Sequence, residues 1–385
     1  MRQSTDRILT THVGSMPRPQ ALVDVLIAKD HDRLEISMAE FDKVMTEAVD
    51  AVVKRQVEAG VDIVSDGEAS KVSYSTYMMD RLHGFGGDTP RKPALDLAPY
   101  PELRQKLGLI MGSQEFKRSS CVGEISVKSW EPLHKDIANL TAAAKKYGAV
   151  EAFMNSASPG LISAFQPNQY YPTHEDYVWA LAKVMKEEYE AIVASGLLIQ
   201  LDCPDLAMAH HTGFQDLPEA EFVKRAELHV EALNWALSGV PADRCRMHIC
   251  WGNYEGPHDH DIPVQTILHA ILAAKPAGIL FEAANARHDH EWVYWAEAKI
   301  PDDKVLIPGM LDSCSNYVEH PELIAQRVER FAGIVGRERV IAGTDCGFGT
   351  FAGYGKVDAE VAYKKLRALA DGAALATERL WAKAA

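Results

Sequence analysis

The sequence predicts an α/β protein of the (β/α)8 TIM-barrel class, folded as a single catalytic domain over residues 1–385. Short apolar strands alternate with amphipathic helices, a pattern typical of a parallel sheet covered by helices. The length suits one barrel with insertions. The alternative, a doubly wound open sheet, is disfavoured because no Gly-x-Gly-x-x-Gly motif opens a helix after the first strand.

The first two strands and the helix between them are read from local signals. A β-rich stretch at 7–13 must stop at the turn 14–19, because proline cannot continue a ladder of hydrogen bonds. The amphipathic stretch 39–59 predicts a helix, and Gly60 follows as its C-terminal cap. Residues 61–64 then form a short apolar strand. We therefore expect two parallel strands joined by a helix.

A long connection follows the second strand. Residues 69–117 are rich in Gly, Pro and Tyr, and they predict an irregular excursion over one end of the fold. So long a connection in a compact domain is usually functional. The strand predicted at 121–127 makes a total of nine where a barrel has eight. We take this strand as the extra one.

The remainder of the chain alternates regularly between the two kinds of element. Further strands are predicted at 150–155, 197–201, 278–281, 305–307 and 340–342, and around His248 and Cys250. Helices are predicted at 135–147, 174–195, 218–238, 262–274, 289–298, 320–335 and 357–380. Such alternation favours repeated βα units.

Charge and composition exclude several classes of protein. The net charge is −14 and no cluster of Lys and Arg stands out, which argues against a nucleic-acid or anionic-membrane partner. The N-terminus lacks the apolar core of a signal peptide, and no run approaches 18 apolar residues. We expect a cytoplasmic protein. Its six scattered cysteines therefore favour buried thiols or metal ligands over disulfides.

His248 and Cys250 are the strongest local signal for chemistry. They alternate with Met247 and Ile249 in an apolar run, so the imidazole and the thiol emerge on the same side of a strand. Together they supply half of a tetrahedral zinc site. For an isolated His-x-Cys, a core histidine beside a buried free cysteine is the alternative interpretation.

Polar side chains follow nearly every predicted strand, at the rim where a barrel carries its active site. They are Ser15, Glu68, Asp202, His248, Cys250, Glu282, Asp312, Cys314, Asp345 and Cys346. Those of the later strands could give Zn2+ an imidazole, two thiolates and a carboxylate, from His248, Cys250, Cys346 and Glu282. The spacing is not that of a zinc finger, and it suits a reactive metal that exchanges its carboxylate for a substrate.

Short motifs at these same positions resemble those of a known family. They are Thr10-Thr11-His12-Val13-Gly14-Ser15, Asp66-Gly67-Glu68, Ile199-Gln200-Leu201-Asp202-Cys203-Pro204, His248-Ile249-Cys250, Phe281-Glu282 and Asp345-Cys346-Gly347. Taken together, they resemble the catalytic barrel of the cobalamin-independent methionine synthases. The resemblance covers essentially the whole chain.

The resemblance implies a function and a role for each residue. Zinc held by His248, Cys250, Glu282 and Cys346 would bind homocysteine and lower the pKa of its thiol, and the thiolate would take a methyl group from a methylated folate. The product would be methionine, and the partners would be small molecules only. Ser15, Glu68 and Asp202 would hold the amino and carboxylate groups of homocysteine, and Arg18 and Arg287 are candidates for an anionic group of a substrate.

Two departures from the family pattern keep other functions open. The additional N-terminal half of the full-length enzymes is absent from this sequence, and Cys314, two residues after Asp312, stands where the family has a proton-transferring histidine. We expect Asp312 and Cys314 to occupy the catalytic position. A thiol transferase that opens epoxides, similar to the epoxyalkane:coenzyme M transferases, is the second hypothesis. A non-catalytic zinc- or thiol-binding barrel is the third.

Overall fold

The computed structural model describes residues 1–87, 89–111 and 119–382. Within these ranges the strands are β1 (Leu9–Thr10), β2 (Ile63–Val64), β3 (Leu82–Gly86), β4 (Ser120–Val127), β5 (Glu151–Ala157), β6 (Leu198–Asp202), β7 (Cys245–His248), β8 (Gly278–Phe281), β9 (Val305–Pro308) and β10 (Ile341–Ala342). The α-helices are α1 (Gln20–Asp30), α2 (Met38–Glu58), α3 (Pro101–Met111), α4 (Glu131–Tyr147), α5 (Pro159–Phe165), α6 (His174–Ala194), α7 (Glu219–Ala236), α8 (Val264–Ala273), α9 (Trp292–Glu297), α10 (Pro321–Val335) and α11 (Ala359–Ala382).

The parallel strands form a curled sheet. Strands β2, β5, β6, β7, β8 and β9 pair in that order, and β1 pairs with β10. Single bridges connect the two groups, from Thr11 to Ile63 on one side and from Leu306 to Val340 on the other. All these strands run in the same direction, so the residues that follow them meet at one rim, where α/β folds of this kind place their active sites.

All of the predicted strands are present. The strand predicted at 121–127 is additional to the parallel sheet, as expected. Strand β4 lies apart from the parallel sheet and pairs antiparallel with β3. The excursion, by contrast, is less irregular than predicted in its described part, because it contains both β3 and α3; residues 88 and 112–117 lie outside the described residues. The two glycines within β3 disfavour strand formation locally, and pairing with β4 overcomes that preference.

Local sequence signals set the ends of several helices. Ser37 and Glu40 form a reciprocal capping box at the start of α2, and Gly148 adopts a left-handed conformation at the end of α4. The helix predicted at 289–298 is shorter than expected, because residues 289–291 form a 3₁₀ turn before α9. Among the described helices, none combines the length and apolar composition needed to cross a lipid bilayer.

A buried arginine fills the space inside the curled sheet. The guanidinium of Arg246 on β7 donates hydrogen bonds to Gln200, Thr11 and the carbonyl of His12, and it stacks on Phe153 at 3.9 Å. Its donors therefore connect β1, β6 and β7 across the interior. The hydrogen bonds of the Arg246 side chain therefore fix the relative position of strands that end at the rim.

A second buried charge holds the excursion against the helices. Arg81, immediately before β3, donates two hydrogen bonds to Glu188 on α6, at 2.8 and 2.9 Å. Both side chains are buried, and Ser156 on β5 also donates to Glu188. Because buried charges cost free energy unless they are paired, removal of either partner leaves an uncompensated ion.

We predict that Glu188→Gln lowers the free energy of unfolding by about 3–5 kcal/mol, because it leaves the Arg81 guanidinium buried without its counter-charge. Urea denaturation measures the change. The control is Glu221→Gln, which removes an exposed ion pair with Lys224 and should change stability by less than about 1 kcal/mol. Equal effects of the two substitutions would contradict the assignment.

Candidate functional site

A cavity of about 590 Å³ opens at the C-terminal ends of the strands. It brings together most of the side chains that the sequence predicts for a site. They are Ser15, Glu68, Asp202, His248, Cys250 and Cys346. These residues come from β1, β2, β6, β7 and β10 or from the turns that follow them, so the site is assembled by the topology of the sheet.

Two thiols and one imidazole form a tight group in this cavity. The sulfur atoms of Cys250 and Cys346 lie 3.8 Å apart, and the ligand atoms of His248, Cys250 and Cys346 all lie within 4.8 Å of one another. His248 ends β7 and Cys250 follows two residues later, while Cys346 follows β10. The alternation predicted from the sequence therefore directs the imidazole and the thiol to the same place.

The group is buried, and its imidazole has no hydrogen-bond partner in the described structure. His248 is 3% exposed, and in the described structure neither of its ring nitrogens has a hydrogen-bond partner. Burial lowers the pKa of His248, so its imidazole is neutral at pH 7 and keeps a lone pair. The hydrogen bond between the sulfurs lowers the pKa of Cys250 and raises that of Cys346. An unpartnered imidazole beside two thiols is a set of donors suited to a metal.

The spacing of these donors fits a tetrahedral ion. Two sulfurs bound at about 2.3 Å to one tetrahedral zinc would lie about 3.8 Å apart. That separation is the one found between Cys250 and Cys346. Imidazole and thiolate are also the ligands that zinc prefers. The residues present therefore fit zinc.

Glu282, the fourth predicted ligand, lies outside this group. Its carboxylate accepts hydrogen bonds from the backbone N–H of Trp251 at 2.8 Å and from the side-chain amide of Asn285 at 2.7 Å. Burial raises its pKa to about 7. The turn that follows Glu282 is held by Asp345, whose carboxylate accepts backbone N–H groups of Ala283 and Ala284. The structure thus gathers three of the four predicted ligands.

Two carboxylates share the cavity with the thiols. Asp202, at the end of β6, accepts hydrogen bonds from the amides of Asn155 and Gln200. Glu68 has a left-handed backbone (φ 53°), and one of its carboxylate oxygens is buried without a partner. Burial raises the pKa of Glu68 to about 8 and also raises that of Asp202. Both groups would be stabilised by a cation.

Ser15 reaches the cavity because Gly347 leaves room for it. A Cβ atom on Gly347 would lie 2.0 Å from the Ser15 hydroxyl oxygen. The backbone N–H of Phe348 donates to the carbonyl of Ser15, so the turns after β1 and β10 are bonded to each other here. The glycine of the Asp345-Cys346-Gly347 motif is therefore explained by a close approach of two rim turns.

The remaining predicted residues do not line the cavity. The guanidinium of Arg18 donates three hydrogen bonds to the backbone carbonyls of Glu68 and Gly349, and the Arg287 side chain is exposed. Asp312 accepts the backbone N–H of Cys314, whose thiol donates to Asn253 at 3.1 Å. Neither arginine lines the described cavity, so their contact with an anionic group of a substrate stays a prediction. The sequence alone could not show that the guanidinium of Arg18 donates hydrogen bonds to backbone carbonyls.

Histidines near the site are paired with carboxylates. His258 and His288 both contact Asp261, at 3.1 and 3.2 Å, and His288 also contacts Glu291 at 2.9 Å. They lie behind Glu282, to which His288 approaches within 4.0 Å, and they do not line the cavity. The sequence shows histidines in the segments that follow Cys250 and Glu282, but it does not show that they pair with Asp261.

One side of the cavity is lined by aromatic side chains, which the sequence did not predict. This aromatic wall consists of Tyr74, Phe165, Phe351 and Tyr354. The ring centroid of Tyr74 lies 5.8 Å from that of Phe165 and 5.8 Å from that of Phe351, and Phe351 lies 5.4 Å from Tyr354. The four rings come from three distant parts of the chain, so no local sequence pattern predicts that they lie together.

Comparison with known proteins supports the resemblance seen in the motifs. The family model of the cobalamin-independent synthase catalytic domain matches residues 8–94. The methionine synthase of Saccharolobus solfataricus is 27% identical over 376 residues, covering 96% of this chain and 95% of that protein. The methionine synthase of Sulfolobus acidocaldarius is 24% identical over 342 residues, covering 88% of this chain and 85% of that protein.

Solved structures show the same fold. A B12-independent methionine synthase from Shewanella sp. W3-18-1, determined in complex with selenomethionine, superposes with a TM-score of 0.72 at 19% identity, covering 98% of this chain and 99% of that one. A protein from Listeria monocytogenes with a provisional assignment as a vitamin-B12-independent methionine synthase superposes with a TM-score of 0.64 at 20% identity, covering 95% of this chain and 98% of that one.

We predict opposite charge states for two buried histidines at pH 7. Burial lowers the pKa of His258, but the hydrogen bond and charge of Asp261 outweigh it and raise the pKa to about 9, whereas burial lowers the pKa of His12 to about 4. His258 should therefore be doubly protonated and His12 neutral. Nitrogen-detected NMR of the imidazoles measures this directly.

The raised pKa of His258 makes its contribution to the stability of the fold depend on pH. The unfolded pKa of histidine is about 6.5. Since the folded pKa of His258 is higher, its stabilisation is complete below pH 6.5 and is lost as the pH rises through about 9. His258→Gln should therefore reduce the free energy of unfolding more at pH 6 than at pH 10. A larger reduction at pH 10 would contradict the Asp261 pairing.

Proposed function

We propose that this chain, which resembles the cobalamin-independent methionine synthases along almost its whole length, methylates the sulfur of homocysteine to form methionine. The observation that carries the proposal is the group formed by His248, Cys250 and Cys346, which shares one cavity with Glu68 and Asp202. The first three residues suit a thiol-activating metal, and the two carboxylates suit a substrate ammonium group.

We propose that His248, Cys250 and Cys346 hold zinc, with Glu282 as the exchangeable fourth ligand. When bound, the ion would lower the pKa of the substrate thiol and so supply a thiolate nucleophile at neutral pH. The position of Glu282 supports a replaceable role, because its carboxylate already has partners in Trp251 and Asn285 without the metal. Those partners would stabilise it whenever substrate sulfur takes its place.

Glu68 and Asp202 would bind the amino group of homocysteine. Both are buried in the cavity, and each would gain a charged hydrogen bond from an ammonium group in a site of low dielectric constant. Asn155 and Gln200 orient Asp202 for this contact. The Shewanella relative was determined with selenomethionine, an amino acid with the same amino and carboxyl groups as the proposed product.

The two alternative functions are less well supported. A sulfonated thiol such as coenzyme M suits a cation near the metal ligands, and among the described lining residues Lys92 pairs with Asp216 while Arg91 is held by backbone carbonyls. A non-catalytic metal-binding protein would not need two buried carboxylates beside its metal ligands. We therefore favour an amino-acid thiol as the acceptor.

We also propose that the curled sheet closes as a (β/α)8 barrel and that residues 1–385 form one catalytic domain. Pairing of β1 with β10 supports closure, as do the bridges from Thr11 to Ile63 and from Gly309 to Gly343. The relatives support a single domain, because the matched region covers 95% of the Saccharolobus solfataricus protein.

Substitution of the sulfur ligands should remove the metal and leave the fold intact. We predict that Cys250→Ser and Cys346→Ser each lower zinc content and abolish methyl transfer, with an unchanged circular dichroism spectrum, since the two cysteines lie at the rim of the sheet. Elemental analysis by mass spectrometry measures the zinc. Cys314→Ala is the matched control and should retain it; loss of zinc from this variant would make Cys314 a ligand.

Substitution of the carboxylates should weaken binding of the amino group specifically. We predict that Asp202→Asn raises the KM for homocysteine about 10- to 100-fold, because a charged hydrogen bond contributes about 1.5–3 kcal/mol. The KM for 4-mercaptobutyrate, which lacks the amino group, should change far less. Equal changes for the two thiols would show that Asp202 does not contact the ammonium group.

A further inference from the structure

The two proposed sulfur ligands are carried by strands that are not neighbours. Cys250 follows β7 and Cys346 follows β10, and β8 and β9 lie between these two strands. In the described sheet, backbone hydrogen bonds between adjacent strands therefore do not connect the two turns directly. A tetrahedral ion requires its ligands in one fixed arrangement, so a contact between the turns has to hold the sulfur atoms at the required distance.

The side chain of Asn253 makes that contact. Its amide nitrogen donates hydrogen bonds to the backbone carbonyl of Gly347, at 2.7 Å, and to the hydroxyl of Thr350, at 2.6 Å. Asn253 lies three residues after Cys250, and Gly347 directly follows Cys346. One amide group therefore bonds the turn that carries the first thiol to the turn that carries the second.

The oxygen of the same amide is bonded to a third turn. It accepts hydrogen bonds from the hydroxyl of Ser313, at 3.0 Å, and from the thiol of Cys314, at 3.1 Å. A backbone carbonyl can only accept, so Gly347 requires the amide nitrogen of Asn253 on its side and leaves the oxygen to face the hydroxyl and the thiol. Both N–H donors and both lone pairs of the amide are thus used, and its orientation is fixed.

The third turn is itself anchored by a buried ion pair. The backbone N–H of Asp312 donates to Glu319 at 3.0 Å, and the carboxylate of Asp312 accepts the backbone N–H of Cys314 at 2.8 Å. Glu319 pairs at 2.8 Å with Lys365 of α11, whose side chain is fully buried. The oxygen of Asn253 therefore faces a turn that is held in place by the helical layer.

We propose that Asn253 is a positioning residue that holds Cys250 and Cys346 at the separation that zinc requires. The inference rests on the proposed function and assigns a residue that prepares its metal site. Asn253 acts on the ligands through the turns, because its four hydrogen-bond partners lie outside the proposed ligand set. Groups that orient metal ligands in this way commonly contribute about 10- to 100-fold to metal affinity or activity.

The proposal gives Cys314 a structural role in the site. Burial raises the pKa of the Cys314 thiol well above its usual value, so the thiol keeps its proton at neutral pH and can donate to the oxygen of Asn253. Ser313 donates to the same oxygen. Loss of Cys314 alone leaves the bond from Ser313, which agrees with the retention of zinc expected for Cys314→Ala.

The direct test compares the zinc affinity of Asn253→Leu with that of the wild-type protein. Leucine has nearly the size and shape of asparagine but makes none of the four hydrogen bonds. We expect the zinc dissociation constant, measured by competition with a chromophoric chelator, to rise about 10- to 100-fold. An unchanged dissociation constant would overturn the inference.

A matched asparagine separates positioning from a general loss of stability. Asn234 on α7 also bonds to backbone groups of a neighbouring segment, since it donates to the carbonyl of Ala273 at 3.0 Å and accepts the N–H of Lys275 at 2.6 Å. It lies outside the set of residues that line the cavity. We expect Asn234→Leu to lose stability in urea but to bind zinc with unchanged affinity. Equal losses of zinc affinity in Asn234→Leu and Asn253→Leu would overturn the inference.

Cobalt(II) in place of zinc reports the arrangement of the ligands independently of affinity. Its visible absorption depends on the number of bound sulfur atoms and on how nearly tetrahedral the site is. At saturating cobalt, we expect the bands of Asn253→Leu to be weaker than those of the wild-type protein and shifted from them. Identical spectra would show that the ligands keep their arrangement without Asn253 and would overturn the inference.

A smaller substitution keeps the test decisive if the leucine variant does not fold. Asn253→Ala removes the same four hydrogen bonds, and its short side chain cannot clash with the neighbouring turns. We expect the same loss of zinc affinity and the same change in the cobalt spectrum. Retention of both wild-type properties in this variant would overturn the inference.

The two proposals can fail separately. If Cys250→Ser lowers zinc affinity in the wild-type background but Asn253→Leu and Asn253→Ala do not, the inference alone is overturned. If the wild-type protein binds zinc no more tightly than Cys250→Ser, the proposed metal site is overturned, and the inference falls with it.

Discussion

The candidate site depends on a buried imidazole that has no hydrogen-bond partner within the described structure. His248 is almost inaccessible to solvent, yet neither of its ring nitrogens is hydrogen-bonded in the described structure, and two thiols lie beside it. An unsatisfied buried polar group costs about 1–3 kcal/mol, so a fold retains such a group only where something else satisfies it. The proposed metal ion would satisfy all three groups at once, at a point where the fold brings together strands that are distant in sequence.

The surroundings of this group divide the cavity into regions of different chemistry. Carboxylates from β6 and from the turn after β2 form the polar region, and the aromatic wall forms the apolar one. Asp345 and Gly347, on either side of Cys346, hold the neighbouring turns in place, one by accepting backbone N–H groups and the other by leaving room for Ser15. The Asp-Cys-Gly motif thus combines a thiol with the two features that position its neighbours.

Much of the fold and the centre of the site could be predicted from the sequence, because the signals are local. Alternation around His248 and Cys250 placed both side chains together, and apolar runs located the parallel strands. Helix α1 was missed because its apolar residues are nearly continuous and two prolines precede it. The environment of Glu282 and the aromatic wall could not be predicted, because both depend on contacts between distant segments. Likewise, the charge of Arg18 is evident from the sequence, but the carbonyls to which it donates hydrogen bonds are not.

We propose that one metal ion joins His248, Cys250 and Cys346. Anomalous diffraction from crystals of the purified protein, measured on both sides of the zinc absorption edge, would locate such an ion. We expect a single strong peak about 2.3 Å from each of the two sulfur atoms and about 2.0 Å from a ring nitrogen of His248. The absence of a peak there in zinc-loaded crystals, or a peak among His258, His288 and Asp261 instead, would contradict it.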